Sequence, residues 1–453
     1  MEEKSKDIIQ PRAVSGFPEF LPEDQLEFQR LLEIVKTGFE TFGFTPIETP
    51  AAERLDILAS KGEIQKQIYG LYRPNVPEQE RETDLALHFD LTVPLARYVA
   101  MNFSRLTFPF RRYQIQRVWR GERPQKGRFR EFYQCDIDAI GSETLDPLND
   151  AEIPAVIRDI FEKMQIGEFM IRISNRKIFQ GFLLNNNFSK ETIPDILRSV
   201  DRLPKLGEDA VKRELREDLD ISPEIVEGIL SLAGIKGTGP ELLDRLSRIP
   251  VDHPVFREGT SELALLADNL TSLGVSESQW EIDLSITRGL DYYTGTVYET
   301  FMTDYPELGS VCSGGRYDNL ASHFTNRRLP GVGISIGLTR LFSYLLEAKV
   351  VKSSSSCPTR VLVAVLDRER LSDYLAAATS LRNNDIPVEV YLEPRRLKAQ
   401  FKYADKKGIP LVLIAGETEF KEGVWQLKHM ETGDQASIPG NALVESIRKK
   451  LKS

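Results

Sequence analysis

A chain of 453 residues, with 59 Lys and Arg against 68 Asp and Glu and a net charge of -9, is too long for one hydrophobic core and predicts two or three domains. The acidic balance argues against indiscriminate adhesion to nucleic acid or membrane, so any nucleic-acid partner must be met by a local basic surface. Cys135, Cys312 and Cys357 and the four histidines, His88, His253, His323 and His429, are too scattered for a disulfide framework or a protein-held metal site, so no metal centre is expected and a reducing compartment is.

In chain order, residues 1–7 contain acids and no apolar run, and no later run reaches membrane-spanning length; neither a leader nor membrane contact is expected, and the location expected is cytoplasmic. Leu26, Leu31, Ile34, Val35 and Phe39 recur at helical spacing within residues 23–43, and Phe44 to Pro50 then enters a strand. From Arg105 to Arg130 nine Lys or Arg stand against one acid, Glu122, which predicts an anionic ligand. Period-two alternation makes this region a hairpin: Gln114, Gln116, Val118 and Arg120 share a face of the first strand, and Phe132, Gln134, Asp136 and Asp138 share a face of the second. A solvated face accounts poorly for an aromatic ring, an amide and two carboxylates gathered near an arginine.

Residues 175–273 change character, and Lys190 to Glu224 is rich in charge and helix formers, which predicts a mostly helical insertion. Gly309, Gly314, Gly315, Gly331, Gly333 and Gly337 suit close backbone approach, but their spacing is not that of a dinucleotide-binding loop. Ser353 to Ser356 reads as a linker within 351–358. Beyond it a strand–helix alternation (Val361 to Leu366, Leu371 to Leu381, Val388 to Leu392, a helix from Arg395, Pro410 to Ala415) predicts a small α/β domain over 359–453 with a partly parallel sheet. On its second helix Arg395, Lys398, Lys402 and Lys406 lie opposite Leu397, Phe401 and Ala404; a solvated face and an RNA-binding face fit this stripe equally on spacing alone.

Arg120-x-Glu122 followed by Arg128, Phe132 and Asp136 resembles motif 2 of the class II aminoacyl-tRNA synthetases. The run from Arg120 to Asp138 is closer still to the histidyl-tRNA synthetases, and four further segments match that family in order: Asp90 to Pro94, Arg288 to Tyr293, Gly314 to Asp318 and Pro330 to Arg340. The resemblance implies an α/β fold with an α+β catalytic core, an antiparallel sheet flanked by helices, over 1–174 and 274–350. It also implies a helical insertion at 175–273 that either approaches the tRNA acceptor arm or is a solvated subdomain, and a C-terminal anticodon-binding domain. The segment ending at Pro50 resembles the family's motif 1, which implies a homodimer.

The activity implied is a ligase reaction of protein biosynthesis: L-histidine and ATP, with magnesium accompanying the nucleotide, give histidyl-adenylate, and histidine passes to tRNA(His). By resemblance Arg120 and Arg288 are catalytic, flanking the α-phosphate. Asp90, Leu91, Thr92, Arg120, Gln134, Asp138, Arg288, Tyr292 and Tyr293 form the histidine site; an imidazole needs a partner at each nitrogen, which Asp138 with Tyr292 or Tyr293 supplies. Arg120, Glu122, Arg128, Phe132 and Arg340 bind ATP, and Arg123, Lys126, Arg395, Lys398 and Lys402 face tRNA. Two residues depart from the family pattern, His88 where an arginine is more usual and Thr339 where an acid is. A different reading is a non-catalytic, synthetase-like regulatory subunit of ATP phosphoribosyltransferase, which would lack the C-terminal domain and tolerate loss of Arg120, Arg288 and Arg340.

Overall fold

The computed structural model describes residues 9–59, 66–75, 77, 84–125, 127–289, 292–318, 321–351, 356–393 and 395–452. The chain divides into two compact units, Met1–Glu19 with Leu31–Val350 and Phe20–Arg30 with Val351–Ser453. Half of the expected linker 351–358, residues 352–355, lies outside the described residues.

The first unit is built on a nine-stranded sheet. In spatial order its strands are Thr45–Pro46, Phe110–Trp119, Glu131–Ile140, Gly331–Ile336, Ser310–Tyr317, Thr296–Met302, Phe169–Asn175, Trp280–Asp283 and Lys236–Gly237. Neighbours are antiparallel except at Thr45–Pro46 and between Phe169–Asn175 and Trp280–Asp283. Alternation gives this sheet two unlike faces. Cys135, Ile137, Ala139, Val332, Ile334 and Ile336 are buried on the apolar one, and the helices Leu148–Met164 and Leu338–Glu347 pack against the sheet. On the other face two rungs run across the strands. Arg112 pairs with Asp138, Asp138 with Gly333 and Gly333 with Gly315; Gln114 pairs with Asp136, Asp136 with Ser335, Ser335 with Ser313 and Ser313 with Glu299.

Arg316 points to the opposite side from these rungs and fastens the sheet to the Leu148–Met164 helix. Its Nη2 lies 2.7 Å from Asp150 Oδ1, its Nε donates to both Asp150 oxygens at 3.0 Å, and Nη1 donates to the Leu145 carbonyl at 3.1 Å. Both side chains are buried, so the planar fork matters as much as the charge. Arg316→Lys keeps the charge and loses most of these bonds; urea denaturation should show a loss of about 2 kcal/mol.

Between Asn175 and Trp280 the chain is mainly helical, including Arg176–Asn185, Ile193–Asp201, Pro223–Ala233, Pro240–Ser247 and Pro254–Leu270. Ile193, Ile196, Leu197, Val200, Val211, Leu215, Val226 and Ile229 give this segment buried apolar side chains of its own. The Lys236–Gly237 strand joins it to the sheet edge, and two residues are too few to show a period of two in sequence.

The second unit holds a five-stranded sheet in the order Val388–Tyr391, Val361–Ala364, Leu411–Ile414, Val424–His429 and Gln435–Pro439. The first three strands are parallel, as the strand–helix alternation predicts, and the last two are antiparallel. Val361–Ala364 and Leu411–Ile414 are apolar at every position and buried throughout, the pattern of strands covered on both faces. The Leu397–Lys407 helix ends at Gly408, whose φ of 68° forms a left-handed cap.

Candidate active site

The polar face of the large sheet carries two adjoining cavities. One, of about 290 Å³, is lined by Asp90, Thr92, Gln134, Asp136, Asp138, Tyr292, Tyr293 and Tyr317 among others. The second, of about 330 Å³, is lined by Glu122, Arg128, Phe129, Phe132, Gly337 and Arg340 among others. Arg120, Gln134, Ser313 and Ser335 line both. These are sizes suited to small molecules, and the shared residues mark where two bound groups would meet.

The first cavity is acidic and largely preformed. Asp90 Oδ1 accepts from the Val93 N–H at 3.1 Å, at the start of the Thr92–Asn102 helix, and its Oδ2 accepts from the Tyr292 hydroxyl at 3.2 Å. Gln134 Nε2 donates to Ser335 Oγ at 2.8 Å, which leaves Gln134 Oε1 buried without a hydrogen-bond partner among the described residues. Asp138 accepts from the Tyr317 hydroxyl at 2.7 Å and is ion-paired with Arg112. Burial pushes the Asp138 carboxyl up, opposed by Arg112 and by the Tyr317 hydrogen bond. Burial pushes Asp136 up to about 7, against the pull of Arg112 and Ser335. Gly333 is required beside them: a Cβ there would sit 2.2 Å from the Ile137 carbonyl oxygen and 2.3 Å from Asp138 Oδ1. Gly289, at φ 70°, likewise makes room for the Tyr293 ring.

The second cavity is basic and aromatic. Burial, then the neighbouring Arg128 and Arg288, depress the Arg340 pKa, so Arg340 stands in the positive field of two other guanidiniums. Arg340 donates to the Leu308 carbonyl, and its Nε is buried without a partner among the described residues. Phe132 presents its ring 5.0 Å from the Arg120 guanidinium, and Arg120 Nε donates to the Phe89 carbonyl at 3.0 Å. The hairpin closes above them through Arg120 N–H to the Arg130 carbonyl, 2.8 Å, while Glu122 stands 3.7 Å from Arg128.

Most residues singled out from sequence converge here, and several do not. Leu91 is buried in the core and lines neither cavity. Arg288 also lines neither: its Nη1 is 2.9 Å from Glu299 Oε1 and its Nε 3.2 Å from Asp201 Oδ1, which holds it at the sheet beyond Ser313. Arg123, Arg395, Lys398 and Lys402 are exposed, and Lys126 is outside the described residues. His88 is buried, with Nε2 donating to the Arg117 carbonyl at 2.7 Å and its ring 5.4 Å from Trp119, so it serves packing. Thr339 is buried too, and its Oγ1 accepts the Tyr133 N–H at 2.8 Å; it ties the helix to the hairpin and lines neither cavity.

Sequence reasoning missed Arg112, Asp136, Ser313, Tyr317 and Ser335 as site residues. Asp136 shares its strand face with Gln134 and Asp138, and Tyr317 lies inside a motif already singled out, so both carried a signal.

The family model for histidyl-tRNA synthetase matches residues 16–341, and that for an anticodon binding domain matches residues 360–450. The chain belongs to the histidyl-tRNA synthetase family. A histidine–tRNA ligase of Clostridium tetani is 47% identical over 445 residues, covering 98% of each chain. The crystal structure of histidyl-tRNA synthetase from Nostoc sp. PCC 7120 superposes with a TM-score of 0.90 at 43% identity, covering 98% of this synthetase and 100% of that one. A Bacillus halodurans C structure described as an ATP phosphoribosyltransferase regulatory subunit/histidyl-tRNA synthetase shares the fold at a TM-score of 0.72 and 21% identity, over 88% of this chain and 97% of that one.

Proposed function

We propose that this histidine–tRNA ligase forms histidyl-adenylate across the two cavities, with the amino acid in the acidic one and ATP in the basic one. The observation that carries this is the position of Arg120, which lines both. Asp90 and the buried Gln134 Oε1 suit an α-ammonium group; Asp138, with Tyr317 and Tyr293 beside it, suits an imidazole. In the other cavity Phe132 offers a stacking surface for adenine, and Arg128 and Arg340 offer guanidinium forks to phosphate oxygens.

The histidine carboxylate oxygen bonds to the α-phosphorus as the bond to the bridging oxygen breaks, and pyrophosphate leaves toward Arg340 and Arg128. Both reactants are anions, so Arg120 lowers the barrier by offsetting their mutual repulsion as charge builds at the α-phosphate. Arg288 joins it when phosphate oxygens compete with Glu299 and Asp201 for its guanidinium. The described residues contain no group of three or more His, Cys, Asp or Glu side chains that could hold a metal ion. A magnesium ion arriving with ATP would add positive charge at the phosphates beside Arg128 and Arg340.

Transfer to tRNA(His) follows, with the second unit binding the RNA. Lys398 and Lys402 are exposed on the Leu397–Lys407 helix while Leu397 and Phe401 pack against the apolar cluster of Leu362, Val412 and Ile414. Reversing both charges, Lys398→Glu with Lys402→Glu, should lower affinity for tRNA(His) and reduce the slope of log affinity against log salt by roughly 1.4 to 1.8. An unchanged slope removes RNA from that helix. The chain acts as a cytoplasmic homodimer in this reading, with the sheet edge at Thr45–Pro46 the natural place for the partner.

A complex with a non-hydrolysable histidyl-adenylate analogue tests the assignment of the cavities. The imidazole is expected at Asp138 and the adenine at Phe132. An adenine found among Asp90, Asp136 and Asp138 would reverse it.

A further inference from the structure

Arg112 is the largest of the fully buried side chains, at 0% exposure, and it lies on the polar face of the sheet directly behind the acidic cavity. Its Nη2 is ion-paired with Asp138 Oδ2, yet Nε, Nη1 and Nη2 find no hydrogen bond of good geometry among the described residues. A buried guanidinium held this way is costly, and an apolar side chain would cost less. Burying it is justified by what it does to its neighbour. Asp138 is buried as well, with Tyr317 and Asp90 as the other titratable groups acting on it, while Asp136 and Tyr293, the latter in the loop before Thr296, feel its charge. Among them Arg112 is the cation that acts on Asp138.

We infer that Arg112 is a positioning residue for histidine recognition: through its ion pair it holds Asp138 ionised and turned so that a carboxylate oxygen accepts an imidazole N–H. This rests on the placing of histidine in the acidic cavity. A neutral carboxylic acid at Asp138 would present a donor where the imidazole needs an acceptor. Its neighbours reinforce the arrangement, since the Tyr317 hydroxyl occupies Oδ1 and Gly333 leaves the carboxylate the space a Cβ would take.

The test compares wild type with Arg112→Met and with the double variant Arg112→Met/Asp138→Asn, measuring KM for histidine and for ATP in pyrophosphate exchange from pH 6.5 to 9. Dividing variant by wild type at each pH cancels the substrate's own ionisations. Burial already raises the Asp138 pKa against the pull of Arg112, and without Arg112 it rises further, so the ionised form returns only at higher pH. The KM ratio for histidine in Arg112→Met is therefore expected to fall roughly tenfold or more from pH 6.5 to pH 9, with the ratio for ATP flat.

The double variant has no carboxylate to ionise at 138, and its ratio should be raised but independent of pH. Asp136 lines the same cavity and there loses the larger Arg112 attraction along with the smaller Asp138 repulsion, so each variant is measured again in an Asp136→Asn background, which removes that titration. Should Arg112→Met not fold, Arg112→Gln, which keeps a polar side chain beside Asp138 without the charge, takes its place in the same comparison. A pH-independent ratio in Arg112→Met, a pH-dependent one in the double variant, or a KM for ATP that moves with that for histidine would overturn the inference. Absence of histidine-dependent exchange in the wild-type protein would instead overturn the reading of the site on which it rests.

Discussion

Replacing Arg120 with alanine lowers the rate of histidine-dependent ATP–pyrophosphate exchange by about 10²- to 10³-fold, the cost of removing one preorganised group from developing charge. The expectation follows from place. Arg120 alone among the arginines lines both cavities. Its Nε is anchored on the Phe89 carbonyl and its guanidinium lies near the Phe132 ring, so it is aimed before any substrate arrives. The fold should survive, because Arg120 lies just past the end of the Phe110–Trp119 strand and carries no salt bridge among the described residues. Arg120→Lys should recover only part of the loss, since an ammonium cannot serve a carboxylate and a phosphate with one planar fork. Single-turnover adenylate formation by a folded Arg120→Ala protein within a few-fold of wild type would remove Arg120 from the chemical step.

The second large effect is expected at Asp138. Asp138→Asn keeps the shape and can still meet Tyr317, but it loses the charge opposite Arg112 and one acceptor for an imidazole N–H. The value of kcat/KM for histidine should fall by about 10²- to 10³-fold while KM for ATP stays within about twofold, because a buried charge pair is broken only on the amino-acid side. If both constants rise together, Asp138 supports the hairpin and leaves recognition to other residues. Arg288→Ala is a weaker case on this structure, since that side chain is engaged by Glu299 and Asp201 and lines neither cavity.

How much of this was legible beforehand depends on how far apart in sequence the partners lie. The hairpin from Phe110 to Ile140 could be read because alternation, a basic turn and both strands sit in one continuous stretch. Its polar face, with Gln114 opposite Asp136 and Gln116 opposite Gln134, falls in register as the alternation predicts. Arg112 was missed because the strand begins at Phe110, four residues before Gln114, the first residue of the alternation read from sequence. Ser335 enters the site by pairing with Asp136 about 200 residues away, Tyr317 by a hydrogen bond to Asp138 across 179 residues, and Ser313 by pairing with Ser335; no local pattern states which strands will be neighbours.

The departures from the family pattern had structural answers that only packing reveals. Thr339 satisfies an N–H of the hairpin, and His88 fills a buried site against Trp119. Arg288 was placed at the phosphate from its motif, yet its carboxylate partners come from the helical insertion and from the strand Thr296–Met302. The C-terminal α/β alternation was plain because its central strands are continuous apolar runs, whereas the two antiparallel strands Val424–His429 and Gln435–Pro439 are more polar and left no such mark.

The central claim is that an acidic cavity selective for histidine meets an ATP cavity at Arg120. It is tested most directly by ATP–pyrophosphate exchange with each of the twenty amino acids in turn. Exchange with histidine, at a rate at least about 10⁴-fold above that with any other amino acid, is the predicted result, as expected of a site whose buried polar groups stay unpaired against the wrong side chain. Exchange supported by a different amino acid, or by none in a folded protein, would contradict it.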